Sequence, residues 1–441
     1  MHARTSENAC YRLVAPTKGQ ACINELGQRE HARRRGGGWG MVSKWAAWGL
    51  KGEGRVHKRI LIVIAVSAFL PLLTNAAASA APVPSAVEAG KTVPKVKFTK
   101  GAPVRVGEWA CSAAIGDFDR DGKADIAVAN AYPGVDSVSI LDGNGKGQFK
   151  RVKDYGVGDS PGQVVTADFN ADRYRDLATA NSMSDSVTIL YGQKGGKFAN
   201  ARSFQTDGWP NTMTLGDFNR DGAPDIATGN YLGHSVTVML GDGSGGFKSI
   251  KSIKRGGSCE VIASGDFNGD RNPDLAIASP DDDIVRILQG DGKGGFEDIK
   301  SSYKVDSVPR FIAVSDFNRD GKSDLAIACW RAHTISILLG QGDGRFGDFN
   351  SYIVAGEPFC VAVGDFNHDK IPDLVSADWE MDGSATVLRG VGNGTFVSGT
   401  ILRAQDVTQG VAAGDLNGDG WDDVVACNHG SASVSIFLNR R

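Results

Sequence analysis

The stretch GDFDRDGKADIAVAN, residues 116–130, decides the fold of this chain. Within nine positions it carries four aspartates, Asp117, Asp119, Asp121 and Asp125, and it then enters an apolar run of strand-like composition. A turn does not require so many carboxylates. Taken alone, the stretch suits a polar turn, a catalytic carboxylate cluster or a cation site. Which of these three interpretations applies depends on how often the pattern recurs along the chain.

The same pattern occurs seven times in the chain. Its first aspartates lie at positions 117, 168, 217, 266, 316, 365 and 415, a spacing of 49 to 51 residues. Each unit has an apolar run before the acidic loop, a second run after it, a β-branched third run, and a glycine-rich turn before a fourth extended stretch. Four strands in about 50 residues at a fixed period predict an all-β, seven-bladed β-propeller with four-stranded blades.

The two ends of the chain predict how this ring closes. The last unit stops after its third strand, SVSIFLNRR, residues 433–441. Phe98 lies 19 residues before Asp117, the same separation as between Phe149 and Asp168. The segment KVKFTKGAPVRVG, residues 95–107, is therefore expected to supply the missing fourth strand of the last blade, which removes an exposed sheet edge.

The acidic loops, numbered 1 to 7, share the pattern D-x-[DN]-x-D-x-x-x-D. Oxygens at positions one, three, five and nine, with a backbone carbonyl near position seven, would give the six or seven oxygen ligands that suit Ca²⁺. An EF-hand is excluded because the twelfth-position Glu and the flanking helices are missing. Seven copies also argue against a catalytic pair, and no catalytic residue is predicted. The predicted structural Ca²⁺ ligands are Asp117, Asp119, Asp121, Asp125, Asp168, Asn170, Asp172, Asp176, Asp217, Asn219, Asp221, Asp225, Asp266, Asn268, Asp270, Asp274, Asp316, Asn318, Asp320, Asp324, Asp365, Asn367, Asp369, Asp373, Asp415, Asn417, Asp419 and Asp423.

The sixth position of the loops alternates along the chain. The odd loops carry glycine there, at 122, 222, 321 and 420. The even loops carry Arg173, Arg271 and Lys370. A residue other than glycine with positive φ costs on the order of 1 kcal/mol, and a nearby cation opposes Ca²⁺. We expect weaker calcium binding in loops 2, 4 and 6.

The D-F-N-x-D-G-x-x-D loop, the following [LI]-A-x-[AG]-N and the later G-x-F resemble the FG-GAP/VCBS repeat family, which includes the propellers of integrin α-subunits. The resemblance covers about residues 92–441. It implies a seven-bladed propeller with Ca²⁺ in the loops between first and second strands, held at the four positions given above. Departures are the missing glycines of the even loops and Leu416 in place of Phe. Family members include adhesion proteins, lectins and enzyme-attached propellers, so function stays open.

The N-terminal part of the chain is set apart from the repeats. Residues 56–81 have a basic start, an apolar run and a final A-x-A, which is the layout of a secretory signal peptide. We therefore expect a secreted protein, extracellular or periplasmic. Residues 1–55 are interpreted as a non-structural extension, of which residues 1–40 would precede a translation start at Met41. Residues 82–93 are interpreted as a linker and 94–441 as the propeller.

Charge and cysteine content narrow the partners. Residues 1–81 hold 12 of the 48 bases and 4 of the 51 acids, so the remainder, with 36 bases and 47 acids, is near −11. This balance disfavours nucleic acid and anionic membranes as partners. No later apolar run is long enough to span a membrane, and we expect a monomer. The five cysteines after residue 81 are interpreted as buried free thiols, with a Cys329–Cys427 bridge left open.

The strand directions place the acidic loops and glycine-rich turns on one face. The connections that precede first strands, or join second to third strands, lie on the other. On that face the repeats diverge: six positions before each first aspartate stand Cys111, Gly162, Asn211, Glu260, Arg310, Phe359 and Gln409. Exposed aromatics beside polar groups suit sugar rings or protein hot spots, and rings that merely cap the core are the alternative. The predicted ligand-binding residues are Trp109, Trp209, Tyr231, Arg310, Trp330, Phe359 and Trp379.

Two functions fit this face. The first is a binding or adhesion module for an extracellular glycan or protein. The second is a carbohydrate-active enzyme of the polysaccharide lyase kind, with a histidine base from the same loops: His234, His333 or His429. No nucleophile motif, nucleotide loop or singular carboxylate pair is visible, which favours the binding module.

Overall fold

The computed structural model describes residues 96–199, 201–255 and 257–440. These residues form seven antiparallel sheets of four strands or more, arranged in chain order as blades, and the predicted propeller is confirmed. Helical structure in the described part is one 3-10 turn, Trp330–Ala332, and no helix there is long and apolar enough to cross a membrane. The predicted extension, signal peptide and linker, all before residue 94, lie outside the described residues.

The first strand of each blade lies next to the axis of the ring, where neighbouring first strands contact one another. Side-chain hydrogen bonds add to these contacts, as where the backbone N–H of Ile262 donates to Thr212 Oγ1 at 3.0 Å. Each first strand ends where an acidic loop begins. The first strands are β3 (Ala110–Gly116), β7 (Pro161–Ala167), β13 (Pro210–Gly216), β17 (Val261–Gly265), β21 (Pro309–Ser315), β25 (Glu357–Gly364) and β29 (Thr408–Gly414).

The second strands are buried almost throughout, because each lies between two strands of its own sheet and between two neighbouring blades. Their Ala, Ile, Leu and Val residues therefore form a continuous apolar run and do not alternate with polar residues. The second strands are β4 (Asp125–Asn130), β8 (Asp176–Asn181), β14 (Asp225–Asn230), β18 (Asp274–Ser279), β22 (Asp324–Cys329), β26 (Asp373–Trp379) and β30 (Asp423–Asn428).

The third and fourth strands complete each blade, and the fourth strands are the most exposed. The third strands are β5 (Ser137–Gly143), β9 (Ser186–Leu190), β15 (Ser235–Gly241), β19 (Ile284–Gly290), β23 (Thr334–Leu338), β27 (Ser384–Gly390) and β31 (Ser433–Arg440). The fourth strands are β6 (Phe149–Gly156), β12 (Arg202–Gln205), β16 (Phe247–Lys254), β20 (Phe296–Lys304), β24 (Asn350–Ile353), β28 (Phe396–Arg403) and, for blade 7, β1 (Lys97–Lys100) with β2 (Val104–Arg105). Blade 2 also has a short hairpin of β10 (Gly192–Gln193) and β11 (Lys197–Phe198).

The ring closes as the chain ends predict. Strand β1 pairs antiparallel with β31, with Phe98 opposite Asn439, and β2 pairs with the start of the same strand. Phe98 also lies 5.8 Å, edge to face, from Phe366 of blade 6. The first described residues therefore complete the last blade.

Paired phenylalanines join neighbouring blades and explain the recurring D-F and G-x-F motifs. The loop Phe of one blade meets the turn Phe of the next edge to face, with ring centroids 5.4 to 5.9 Å apart: Phe118–Phe198, Phe218–Phe296, Phe267–Phe346 and Phe317–Phe396. The loop rings are buried. Such pairs add about 0.5–1.5 kcal/mol beyond the area that they bury. In loop 7, Leu416 replaces the Phe and packs in one cluster with Phe149.

The five described cysteines form no disulfide with one another, as expected for free thiols. Four are buried and Cys360 is half-buried. Burial raises the pKa of the Cys111 and Cys329 thiols to about 12, so these groups stay protonated and unreactive.

Asn439 completes the closure of the ring. In blades 3 to 6 the glycine-rich turn donates an N–H to the loop-Phe carbonyl of the preceding blade, as Gly394 does to Phe317 O at 3.1 Å. Blade 7 has no such turn. The Asn439 side chain supplies the donor, because Nδ2 lies 2.6 Å from Phe366 O. In the other blades this position is glycine; in blade 1 a Cβ at Gly143 would lie 1.9 Å from a backbone oxygen.

We expect Asn439→Ala to destabilise the propeller by about 1–3 kcal/mol, because the substitution leaves the buried Phe366 carbonyl without its donor. The backbone N–H of residue 439 keeps its bond to Asp423 Oδ1 (2.7 Å), so the strand register is preserved. Urea unfolding measures the change, and Asn393→Ala in an exposed turn is the control. Equal stability of the two variants would show that the side chain does not close the ring.

Candidate functional site

Each acidic loop folds around the carboxylate at its first position. In loop 1, Asp117 accepts hydrogen bonds from the backbone N–H groups of Asp121 and Gly122, at 3.1 and 2.9 Å. Asp119 accepts another from Asp121 N–H at 2.9 Å. Closely similar bonds form in loops 2 to 7, which places the predicted ligands of those loops at equivalent positions.

The aspartate at the ninth position has a role that the sequence pattern did not suggest. Asp125 is buried, and its carboxylate accepts N–H bonds from Phe118 and Gly143, both at 2.9 Å. It therefore joins the loop to the second and third strands. Equivalent bonds form in the other six blades. A carboxylate oxygen has two lone pairs, so this role is compatible with metal binding.

Loop 1 contains the densest group of carboxylates. In the part of the chain that the structure describes, Asp117, Asp119 and Asp125 alone form a group of three acidic, His or Cys side chains whose ligand atoms lie within 4.8 Å of one another. Loops 2 to 7 have Asn at the third position, which offers an amide oxygen instead. Asp121 lies outside the group and is ion-paired with Lys123. An all-oxygen set of this kind fits Ca²⁺.

Asp142 adds a further carboxylate beside loop 1 that sequence reasoning missed. It lines a cleft of about 500 Å³ with Asp119 and Asp121. Burial, and then neighbouring carboxylates that include Asp142, raise the pKa of Asp119. The sequence does distinguish Asp142, because the equivalent position in the other six blades carries no acidic residue.

The sixth position of each loop is left-handed, as the glycines predict. Gly122 has φ 82°, and the even loops adopt the same conformation with Arg173 at 70°, Arg271 at 67° and Lys370 at 64°. The strain expected in the even loops is therefore present. Their weaker calcium binding stays a prediction. The fourth position is also left-handed, as in Arg120 at 65°, which the sequence did not predict.

Side chains at the fourth position connect neighbouring loops. Arg120 of loop 1 lies 5.1 Å over the ring of Tyr174 in loop 2. His368 of loop 6 stacks on Trp421 of loop 7 at 4.8 Å. Loop 1 therefore contacts loop 2, and loop 6 contacts loop 7, so disorder in one loop of either pair would reach the other.

Protonation of the ninth-position carboxylates should couple pH to stability. Burial raises the pKa of Asp125 to about 6 and of Asp373 and Asp423 to about 7. These values lie above the unfolded value of about 3.9, so the stabilisation from protonation is full below pH ~4 and is lost as pH rises through 6 to 7. We expect the melting temperature in EGTA to fall from pH 5 to pH 8.

Calcium affinity should change in the opposite direction over the same pH range, because Ca²⁺ requires the deprotonated carboxylates. Thermal melts at several pH values, in EGTA and in excess Ca²⁺, measure both trends. A melting temperature in EGTA that rises with pH would contradict the predicted loss of stability. A calcium affinity that is constant from pH 5 to pH 8 would contradict the predicted gain in affinity.

Aromatic side chains of three blades meet on the face opposite the loops. Trp109 of blade 1 lies 5.5 Å from Tyr132 and stacks on His429 of blade 7 at 5.3 Å between ring centroids. Trp379 of blade 6 lies 5.2 Å from His429 and 5.5 Å from Phe359. All five rings are half-buried, so each keeps part of its surface in solvent.

An ion pair extends this row to blade 3. Arg310 lies over Phe359 at 5.6 Å and over Trp330 at 5.3 Å. Its Nη1 donates to Glu260 Oε1 at 2.6 Å, and Asn211 Nδ2 donates to the same oxygen at 3.0 Å. The whole row crosses six of the seven blades and is called the aromatic arc: Tyr132, Trp109, His429, Trp379, Phe359, Trp330, Arg310, Glu260 and Asn211.

Five of the seven predicted ligand residues belong to the arc: Trp109, Arg310, Trp330, Phe359 and Trp379. The other two lie beside it, since Tyr231 interacts electrostatically with Glu260 and Arg310 and donates its backbone N–H to Trp209 O at 3.0 Å. The prediction missed Glu260 as a partner of Arg310. Its signal was the opposite charge at the equivalent position of the neighbouring blade.

Two of these tryptophans have strained backbones. Trp109 has φ 58° and Trp209 has φ 64°, a conformation that bulky residues rarely adopt. Such strain costs on the order of 1–3 kcal/mol. Ser160 at 57° and Val308 at 61° adopt the same conformation at the equivalent positions of blades 2 and 5, so it is a feature of the repeat. The ring of His429 is uncharged at neutral pH, because burial lowers its pKa to about 4.

Several solved structures share this fold. BBS1N, in complex with ARL6DN, superposes with a TM-score of 0.56 at 12% identity, over 79% of this chain and 98% of that one. Virginiamycin B lyase from Staphylococcus aureus gives 0.53 at 12%, over 78% and 99%. A protein from Lactobacillus plantarum gives 0.53 at 12%, over 75% and 88%. Identities this low show a common fold alone.

In sequence, no curated protein matches this chain. The model of the FG-GAP-like repeat matches it five times, at residues 117–179, 168–228, 266–327, 316–376 and 365–426. These segments begin at first-position aspartates and run from one acidic loop into the second strand of the next blade. With the match extending over more than half of its length, the chain belongs to the family of FG-GAP-like repeat proteins.

Proposed function

We propose that this protein is a secreted, calcium-stabilised binding module that holds a glycan on its aromatic arc. The observation that carries the proposal is the continuity of the arc. Rings from blades 1, 5, 6 and 7 contact one another or a shared cation, although about 50 residues separate equivalent positions along the chain. Rings that only capped their own blade would not need these contacts.

A glycan suits the arc because half-buried rings offer flat apolar surfaces, and the polar groups among them offer hydrogen bonds. A large protein interface is less well supported. The exposed large apolar residues on this face, Val135, Leu232 and Met381, lie in three different blades and form no continuous patch. The arc stands on rigid strand ends, which reduces the entropy lost on binding.

Calcium has a structural part in this proposal. The side chains at positions one, three, five and nine of each loop would hold the ion. The bound ion would neutralise their charge. The sites are pre-organised, because backbone N–H groups hold the carboxylates in position without a bound ion. The loops brace the strands whose opposite ends carry the arc.

The lyase alternative has less support. His429 lies in the arc, but His234 and His333 belong to blades 3 and 5, and His333 interacts electrostatically with Glu357. A lyase also needs a free cation to neutralise the substrate carboxylate, and the arc's guanidinium, Arg310, is already paired with Glu260.

A glycan array probed with the purified protein, with and without EGTA, tests the proposal. We expect binding to one class of glycan, and loss of that binding on chelation. Binding to no glycan, together with capture by a protein array, would overturn it. Release of unsaturated uronate from a polysaccharide would instead support the lyase alternative.

A further inference from the structure

The face that carries the aromatic arc is strongly acidic. The connections on this face and the first two residues of each following first strand together hold fourteen acidic residues: Glu108, Asp136, Asp159, Asp185, Asp207, Glu260, Asp281, Asp282, Asp283, Asp306, Glu357, Glu380, Asp382 and Asp406. Against them stand three arginines: Arg255, Arg310 and Arg331.

Bases at the ends of the fourth strands do not reverse this balance. The last residues of these strands add four: Arg105, Lys254, Lys304 and Arg403. Lys254 is paired with Asp207 at 3.1 Å and Arg403 with Asp382 at 2.6 Å. Seven bases against fourteen acids give this face a formal net charge of −7 from its Asp, Glu, Lys and Arg side chains.

The side chains of the arc offer little positive charge to an anionic ligand. Arg310 donates to Glu260, whose side chain is only 8% exposed, so the charge of Arg310 is neutralised within the arc. Arg331 lies over the Trp330 ring at 5.7 Å. Acidic groups lie close by, since Asp281 interacts electrostatically with Glu260, and Glu380 with Glu357.

A surface of this charge repels anionic ligands and concentrates cationic ones. Aromatic rings add to the preference, because an ammonium over a ring face gains about 0.5–2 kcal/mol. A sugar polymer that stacks its rings on tryptophan and also carries ammonium groups would use both features at once. N-acetylation of the same polymer removes the charge and leaves the rings.

We propose that the ligand is an amino-sugar glycan with free ammonium groups, its pyranose rings on Trp109 and Trp379 and its ammonium groups toward Asp281 and Glu380. This inference rests on the proposed glycan-binding function and specifies the class of glycan. The charge of the face disfavours an acidic polysaccharide, and a neutral polysaccharide would gain nothing from that charge.

Calorimetry with four probes tests the inference: a glucosamine hexamer, the N-acetylglucosamine hexamer, an oligogalacturonate and an oligolysine. The measurements are made in calcium, slightly below neutral pH, where the amines are protonated. We expect the glucosamine hexamer to bind about tenfold or more tightly than its acetylated form. This difference should shrink at high salt, because the exposed charges are screened.

Charge-neutral variants locate the selectivity. Asp281→Asn and Glu380→Gln should weaken binding of the glucosamine hexamer more than binding of the acetylated hexamer. Glu297→Gln, an exposed residue of a fourth strand, is the matched control and should change neither. Unchanged melting temperatures establish that the variants are folded.

The outcomes separate this inference from the function on which it rests. If both hexamers bind equally and both lose affinity in Trp379→Ala, the glycan-binding function stands and the amino-sugar inference is wrong. Preference for the oligogalacturonate also refutes the inference alone. If oligolysine binds and no oligosaccharide does, the glycan-binding function is wrong as well.

Discussion

Chelation of calcium is expected to lower the melting temperature of the propeller by about 15 °C. Each loop site that is filled at a hundredfold excess over its Kd contributes about 2.7 kcal/mol. The four loops with glycine at position six would together contribute about 11 kcal/mol. For a ring of roughly 350 residues, 1 kcal/mol shifts the melting temperature by about 1.4 °C. Differential scanning fluorimetry in EGTA and in excess Ca²⁺ measures the difference.

The physical reason is that the loops cannot relax when the ion leaves. Asp117 and Asp119 are held by backbone N–H groups, and Asp125 is buried and fixed between two strands. Their oxygens stay within 4.8 Å of one another, so the unbound carboxylates repel. Because position-four side chains connect some neighbouring loops, the loss at one site weakens others.

A matched variant makes this test specific to the loops. Asp119→Asn gives loop 1 the third-position residue of the other six loops. We expect it to raise the melting temperature in EGTA and to reduce the calcium-dependent rise. Mg²⁺ should not replace Ca²⁺, because it requires a tighter octahedral site. An unchanged melting temperature in EGTA would falsify a structural role for calcium.

The sequence predicts the fold well because the repeat supplies seven independent readings of one pattern. Closure by residues 95–107 followed from counting strands, and it needed no contact information. The role of Asn439 could not be predicted by counting strands, because its side chain replaces the backbone donor of a turn that blade 7 lacks. Only the three-dimensional neighbourhood of Phe366 shows that a donor is required.

The candidate site was predictable in part for the same reason. The residues of the arc could be named from their positions in the repeat, but their contacts join different blades and leave no local spacing signal. Trp109 and His429 are 320 residues apart and meet because the ring closes between blades 7 and 1. The pairing of Glu260 with Arg310 was visible in principle, since charges of opposite sign occupy equivalent positions of adjacent blades.

Trp379→Ala is expected to weaken glycan binding about 10- to 100-fold, equivalent to about 1.4–2.7 kcal/mol. Trp379 contacts both Phe359 and His429, so it lies in the middle of the row of rings and joins blade 6 to blade 7. Aromatic residues at the centre of a binding surface dominate its energetics. Its removal eliminates one stacking surface and leaves its two neighbours less well supported.

Trp421→Ala provides the matched control on the opposite face. Trp421 is also a half-buried tryptophan stacked on a histidine, His368, but it belongs to acidic loop 7. We expect this variant to affect stability and calcium dependence, and to leave glycan affinity unchanged in excess Ca²⁺. The pair of variants therefore separates loss of a binding surface from loss of a stacked tryptophan.

His429 contacts two tryptophans, and substituting both of them tests whether the arc binds glycan as one unit. Trp109 of blade 1 and Trp379 of blade 6 both lie against this imidazole of blade 7. The effects of Trp109→Ala and Trp379→Ala on glycan affinity should therefore not be additive, because residues with a shared partner are coupled. Strict additivity would indicate two separate subsites. Full glycan affinity in Trp379→Ala, with loss in Trp421→Ala, would place the binding site on the loop face.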